Sequence, residues 1–252
     1  MYYQNTLSLH RKVAFITGAS RGIGKAIAVE FAKAGYDLIL NCKKNQELLQ
    51  DFITHLKHTY QIQCYCMIGD ISQPDLVNKI CSKAFEEFGF PDVLINNAGI
   101  AYYGLLSDMT PDSWQQILNT NLSSAFYCAK AVIPSMIEKK KGKIINISSI
   151  WGNCGASYEV AYSVSKGGLN TFTKALAKEL APSNVQVNAI ACGVIDTEMN
   201  EHLSPEERQA LIDEIPACRF GTPKEVGELA LLLSMAPEYL TGQIITMDGG
   251  LL

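Results

Sequence analysis

Histidine and tryptophan are scarce in this chain, with four and two copies among 252 residues, and the eight cysteines form no C-x-x-C pair. Cys42, Cys64, Cys66, Cys81, Cys128, Cys154, Cys192 and Cys218 are scattered, which leaves no zinc ribbon and no readable disulfide framework. Reduced thiols are expected. His55 and His58 could share a helical face but have no acidic or cysteine partner at ligand spacing, so no metal site is expected. Long apolar runs are missing too: stretches such as Leu229–Leu233 fall far short of the roughly 20 residues of a membrane span. Residues 1–12 show no basic segment followed by an apolar one, and the expectation is a cytoplasmic protein without membrane contact. Basic charge is also in deficit. A formal net charge of −4 excludes a general binder of nucleic acid or anionic lipid. The one dense basic run, Glu138-Lys139-Lys140-Lys141-Gly142-Lys143, falls where a helix gives way to a strand, and the helix dipole favours cations there.

What is present is a core. With 48% hydrophobic and 18% charged residues, the chain suits one large domain over residues 1–252 and a small soluble substrate. Strand-like runs fall at Val13–Thr17, Asp37–Asn41, Gln63–Ile68, Val93–Asn96, Lys143–Ser148, Gln186–Ile190 and Gln243–Met247. Helical spacing fills the intervals at Gly24–Ala34, Gln46–Tyr60, Gln73–Glu87, Pro111–Lys140, Ala161–Ala181, Pro205–Glu214 and Lys224–Leu233. Strands alternating with helices predict an α/β fold, a Rossmann-like doubly wound parallel sheet of about seven strands with helices on both faces. Ligands of such sheets collect at the carboxyl ends of the strands.

Two patterns lie at those ends. The first strand runs into Gly18, Gly22 and Gly24, spaced so that the backbone turns tightly, admits a phosphate to its N–H groups and packs the next helix closely. Asp70 after the third strand can accept from adenine, and Asn96-Asn97-Ala98-Gly99 closes the fourth with small residues. An NAD site commonly carries an acid after the second strand, whereas this chain reads Leu40-Asn41-Cys42-Lys43-Lys44. Arg21 with Lys43 or Lys44 can hold a 2′-phosphate that a carboxylate would repel, and NADP(H) is the expected cofactor. The second pattern is Tyr162 and Lys166, one helical turn apart, with Ser149 ending the fifth strand. An ammonium within about 4–6 Å of a phenol lowers its pKa.

Together, Thr17–Gly24, Asn96–Gly99, Asn121, Ser149, Tyr162 and Lys166 resemble the short-chain dehydrogenase/reductase family across essentially the whole chain. The ending, Tyr239-Leu240-Thr241-Gly242-Gln243 and then Asp248-Gly249-Gly250, is similar to the branch that contains bacterial 3-oxoacyl-acyl-carrier-protein reductases. That resemblance implies that Tyr162 protonates a ketone oxygen, Ser149 orients it, and Lys166 binds the nicotinamide ribose and depresses the Tyr162 pKa. It implies that Asn121 holds a water linking Lys166 to solvent. Ser20, Ile23, Ile71, Asn97, Ala98, Gly193, Ile195 and Thr197 would join the glycines around the cofactor. A homotetramer packed through Pro111–Lys140 and Ala161–Ala181 is implied as well, using Phe126, Ala129, Val132, Leu169, Phe172 and Leu176.

Two departures stand out. Cys192 precedes Gly193 where the family usually has proline; it is either a small buried filler or redox-sensitive, and Gly193 is expected to permit the turn. Reductases that act on acyl-carrier protein carry basic residues near the active-site mouth, matched here by Lys140 but replaced by Ser183 after the Tyr–Lys helix. The segment Ser148–Val160 resembles a subgroup that reduces a 5-aminopentanone group on a lysine of elongation factor P, with Glu159 able to pair with an amine. A small-molecule ketone or sugar reductase is a third possibility. A nucleotide sensor without activity would have lost a catalytic residue, and none is missing.

Overall fold

The structure, a computed structural model, describes residues 11–252 apart from position 202. The N-terminal stretch searched for a leader pattern thus falls mostly outside the described residues. Short runs rich in Ile, Val and Leu form seven strands: β1 (Val13–Ile16), β2 (Asp37–Cys42), β3 (Cys64–Ile68), β4 (Val93–Asn96), β5 (Gly142–Ser149), β6 (Val185–Cys192) and β7 (Ile244–Met247). They make one sheet in the order β3-β2-β1-β4-β5-β6-β7, and every pairing is parallel. The predicted doubly wound α/β sheet is what forms, and strand limits agree within two residues.

Period-two alternation sends side chains to two layers. Ile16, Leu38 and Leu40 pack with Ile27 and Phe31 of α1 (Gly22–Lys33), Leu49 and Leu56 of α2 (Gln46–Tyr60), and Val226 of the C-terminal helix Pro223–Met235. Phe15, Ile39 and Leu94 face the other way, onto Val77 of α3 (Pro74–Phe88), Val132 further along and Leu176 in the Tyr–Lys helix. Because β1 lies between β2 and β4, the chain reverses its winding there, and a crevice opens at the carboxyl ends of those strands.

One helical expectation needs correction, and a second helix had no sequence signal. Pro111–Lys140 is not one regular helix. It runs as α4 (Pro111–Leu118), a π-helical turn (Asn119–Ser123) and α5 (Ser124–Lys139). The wider turn interrupts the 3.6-residue period that the sequence pattern follows, and such turns recur at functional sites; Asn121 sits in its middle, 1% exposed. The second is α6 (Trp151–Cys154), too short to show a period, before α7 (Val160–Leu180). The remaining helices are α8 (Pro205–Glu214) and α9 (Pro223–Met235), each opened by a capping box, Ser204 with Glu207 and Thr222 with Glu225.

Of the six apolar residues expected between subunits, Ala129, Val132, Leu169 and Leu176 are buried within this chain's own core. Phe172 is partly buried against the same core, and Phe126 is 47% exposed. Leu94 is fully buried on the central strand β4. Leu94→Ala should cost about 2–5 kcal/mol, read as a fall in the urea unfolding midpoint; an unchanged midpoint would contradict this packing.

Candidate active site

At the end of β1 the chain turns through Gly18 (φ +63°) and Gly22 (φ +52°), conformations that side-chain-bearing residues rarely adopt. Gly24 is needed for closeness rather than for its own torsion: a Cβ there would stand 2.3 Å from the Gly18 carbonyl oxygen. Thr17 Oγ1 accepts from the Asn97 and Ala98 N–H groups at 2.9 and 3.1 Å, and Asn97 Nδ2 donates to the Thr17 and Gly18 carbonyls. The glycine turn is thus fastened to the end of β4. Helix α1 has no side-chain cap and no acid in its first turn, so its N–H groups can receive an anion. These features fit the pyrophosphate of a dinucleotide. Thr197 lies close to Gly22, and so does Glu198, whose Oε2 is the nearest atom to a Cβ built on Gly22, at 3.4 Å. A cavity of about 460 Å³ opens there between Gly22, Thr197, Glu198 and Arg208. The sequence reading had not placed Glu198 at the turn, since only tertiary folding brings it back.

At the far end of the crevice the expected residues divide. Asn41 is 2% exposed and its amide donates to the Met67 and Gly69 carbonyls at 3.1 Å, so its side chain joins β2 to β3 instead of facing a ligand. Ile71 is likewise packed in the core. Lys43 Nζ lies 2.6 Å from Asp70 Oδ2. Burial pushes the Asp70 carboxyl up, but hydrogen bonds from Lys43 and Ser72 outweigh it and hold the group below its ordinary value. Arg21 and Lys44 are exposed and form no ion pair among the described residues. On the other flank, Gly193 does not have a positive φ; it is required because a Cβ would come within 2.7 Å of Asp248 Cα. Ile195 is buried in the core and can reach a ligand only with its main chain, and Ser20 is 8% exposed.

The chemistry-bearing residues converge at the ends of β4 and β5. Ser149, 5% exposed, ends β5, and its hydroxyl lies near enough to the Tyr162 phenol of α7 to pull the phenol pKa down. Ser149 Oγ accepts from the Trp151 N–H at 3.2 Å and keeps its own hydrogen to donate. Lys166, 4% exposed, donates to the Ile147 carbonyl at 2.8 Å and stands 5.6 Å from the Tyr162 ring centroid. Asn121 Oδ1 accepts from the Ile100 N–H at 2.8 Å, while Nδ2 donates to the Ile100 carbonyl and to Ser165 Oγ. Gly99 lies between them: a Cβ there would be 3.4 Å from Asn121 Oδ1 and 3.6 Å from Lys166 Nζ.

The electrostatics differ from the simple expectation that Lys166 depresses Tyr162. Burial dominates at both groups. It lifts the phenol well above its usual value against the Ser149 hydrogen bond, and it lowers the Lys166 ammonium to about 8. With Nζ bonded to a carbonyl and placed over the ring, the lysine does not offset desolvation of the phenol. Cys192, 5% exposed beside this cluster, is pushed up to about 12 by burial, so its thiol stays protonated. All eight cysteines are free, and no cluster of metal-binding side chains occurs among the described residues.

The basic run also lies elsewhere than expected. Lys140 is exposed before β5 and Ser149 ends it, so the strand's eight residues put roughly 25 Å between them within one chain. The mouth is instead bordered by exposed Tyr103 and Tyr158, with Glu159 at the start of α7; the Gly104 N–H donates to the Tyr158 carbonyl at 2.9 Å and ties the two loops together.

A doubly wound sheet with an anion-receiving glycine turn and a Ser–Tyr–Lys cluster at the crevice defines a nucleotide-dependent oxidoreductase. The short chain dehydrogenase family model matches residues 12–208, and the chain belongs to that family. It is 38% identical over 95% of its length to an uncharacterized oxidoreductase, YmfI, of Bacillus subtilis, covering 98% of that protein. It is 37% identical to the 3-oxoacyl-[acyl-carrier-protein] reductase FabG of Vibrio cholerae, covering 97% of this chain and 99% of the relative. The crystal structure of a protein described as a putative gluconate dehydrogenase, from Agrobacterium tumefaciens, superposes with a TM-score of 0.90 at 32% identity over 95% of each chain. The family acts on C–OH and C=O groups with a nicotinamide cofactor. Gly24→Ala should abolish detectable nicotinamide-cofactor binding in calorimetry because the turn must open; retained affinity would mean that the cofactor does not use this turn.

Proposed function

We propose that the chain reduces a ketone to a secondary alcohol with NADPH, the ketone being a 3-oxoacyl group on acyl-carrier protein in cytoplasmic fatty-acid synthesis. The observation that carries this reading is geometric: Ser149 at the end of β5, Tyr162 and Lys166 one turn apart on α7, and Asn121 tied to α7 through Ser165 converge in one buried cluster, the set of groups that acid-assisted carbonyl reduction needs. Bound NADPH supplies the hydride. Gly18, Gly22, Gly24 and the α1 N–H groups hold its pyrophosphate, and Arg21, Lys43 and Lys44 receive the 2′-phosphate, Lys43 leaving Asp70 to do so. Ser149 donates to the carbonyl oxygen and fixes it beside Tyr162, which gives up the proton. Lys166 holds the ribose hydroxyls, and Asn121 orients a water beside Gly99 that returns the proton. The carrier-reductase relatives, alike over nearly the whole chain, support the substrate. Exposed Phe126 on α5 and Val164 on α7 suit the packing of a homotetramer.

A second reading, reduction of an aminoketone on a lysine of elongation factor P, is favoured by Glu159. Its carboxylate acts on both the Tyr162 and Tyr103 phenols, after burial the chief influence on Tyr103, which is raised to about 12. A carboxylate beside tyrosines can bind an ammonium, a group that a neutral acyl chain lacks. The remote Lys140 weakens docking of an acidic carrier within one chain.

NADPH oxidation with acetoacetyl-acyl-carrier protein, beside an NADH control and the aminoketone-bearing factor, separates the readings. Preference for the carrier substrate supports the first, and turnover confined to the factor supports the second. Tyr162→Phe should lower kcat about 10²–10⁴-fold while leaving NADPH affinity intact. Lys166 is charged below its lowered pKa of about 8 and neutral above it. The rate of reduction should accordingly hold from neutral pH up to that value and fall beyond it; a rate that climbs there would contradict the assigned acid and its ammonium.

A further inference from the structure

Helix α6 follows the catalytic serine directly, yet none of its four residues is buried. Its start is held by buried Ile150, whose N–H donates to the Cys192 carbonyl at 2.9 Å and whose carbonyl accepts from the Asn153 N–H at 2.8 Å. Two further features hold it against α7. Gly152 lies against α7 so closely that a Cβ would stand 2.7 Å from the Lys166 carbonyl carbon and 2.9 Å from Asn170 Nδ2. Asn170 Nδ2 donates to Asn153 Oδ1 at 2.9 Å. On its other side, Asn170 Oδ1 accepts from Ser148 Oγ at 2.6 Å, and Ser148 Oγ also approaches the Lys166 carbonyl at 3.4 Å. Asn170 is 6% exposed and Ser148 3%. One buried amide therefore ties together the end of β5, the short helix α6 and the helix that carries Tyr162 and Lys166. It does so one turn beyond Lys166, on the same face.

The consequence reaches Ser149 through Trp151. The Trp151 N–H occupies one lone pair of Ser149 Oγ and so restricts the directions open to the serine hydrogen beside Tyr162. If α6 shifts, that N–H moves away, and the serine hydroxyl is free to rotate from the carbonyl it should orient. We infer that Asn170 is a positioning residue for the reaction: through Asn153 it holds α6 so that the Trp151 N–H sets the direction of the Ser149 hydroxyl. This rests on the reading of Ser149 as the group that orients a ketone. The amide is well suited to the task, since it donates to one element and accepts from another, and a buried amide left half-paired is costly.

The test compares Asn170→Ala, Asn153→Ala, the double variant and Asn153→Asp, which retains an acceptor for Asn170 Nδ2. Hydrogen–deuterium exchange at the Trp151 amide is read beside kcat, KM and NADPH affinity with acetoacetyl-CoA. Asn170→Ala and Asn153→Ala should speed exchange of the Trp151 amide about tenfold or more while Ile145 and Ile147 stay protected. Both should lower kcat about ten- to a hundredfold with NADPH affinity unchanged, as expected for a small misplacement of a reacting group. The double variant should resemble Asn170→Ala, because both changes break one connection. Asn153→Asp should remain near the wild type.

Unchanged Trp151 exchange in folded Asn153→Ala would overturn the inference, as would a loss of stability with kcat intact. Should Asn170→Ala fail to fold, Asn153→Ala decides, since Asn153 is exposed. Wild-type protein inert towards acetoacetyl-CoA would count against the 3-oxoacyl reading, while the exchange measurement still decides the role of Asn170.

Discussion

An ammonium almost wholly withdrawn from water is the constraint around which this site is arranged. Lys166 is 4% exposed and has a carbonyl, not a carboxylate, as its hydrogen-bond acceptor. Burying a charge without an ionic partner is expensive, and the protein meets that cost partly by letting the lysine pKa fall to about 8. The same dry surroundings hold the Tyr162 phenol protonated. A polar, solvated crevice would leave both groups near their ordinary values. The close packing that makes burial possible explains the glycines at the tightest contact points, Gly24 against Gly18 and Gly152 against α7.

The sheet brings this cluster to the end that carries the glycine turn. Parallel strands all deliver their carboxyl ends to one edge, and the reversal at β1 and β4 opens the crevice there. Ser149 ends β5, Gly99 follows β4 and the glycine turn follows β1, so residues more than a hundred positions apart become neighbours without any long loop. Hydrogen bonds then fasten the strand ends to one another: Thr17 to Asn97 and Ala98, and Asn96 to Asn146, which passes on to Thr173. Apart from Asn96 Oδ1, which is buried without a hydrogen-bond partner, these buried groups find theirs on different elements, which fixes how those elements sit.

Much of this was legible in the residues. The glycine spacing, the Tyr162/Lys166 turn and the strand–helix alternation are local patterns governed by backbone sterics and periodicity, and they identified the sheet, the family and the four residues Asn121, Ser149, Tyr162 and Lys166 that the structure brings together. Other expectations missed for physical reasons. Asn41 looked like a ligand group at a strand end, but its amide satisfies carbonyls of β3 and the following turn. Gly193 looked like a turn residue, yet it is demanded by the approach of Asp248. The π-helical turn at Asn119–Ser123 and the short α6 leave no readable period, so no pattern search could separate them from their surroundings.

The sequence by itself determined the order of the elements, the glycine turn after β1 and the one-turn spacing of Tyr162 and Lys166, because each depends on near neighbours along the chain. Only the tertiary structure decided the protonation states of Tyr162 and Lys166, the distance of the Lys140 run from the mouth, the placing of Glu159 and Glu198, and the linkage of Asn170 to Ser148 and Asn153. Those properties arise from desolvation and from contacts between segments far apart in sequence, and neither exists until the sheet has closed over its core.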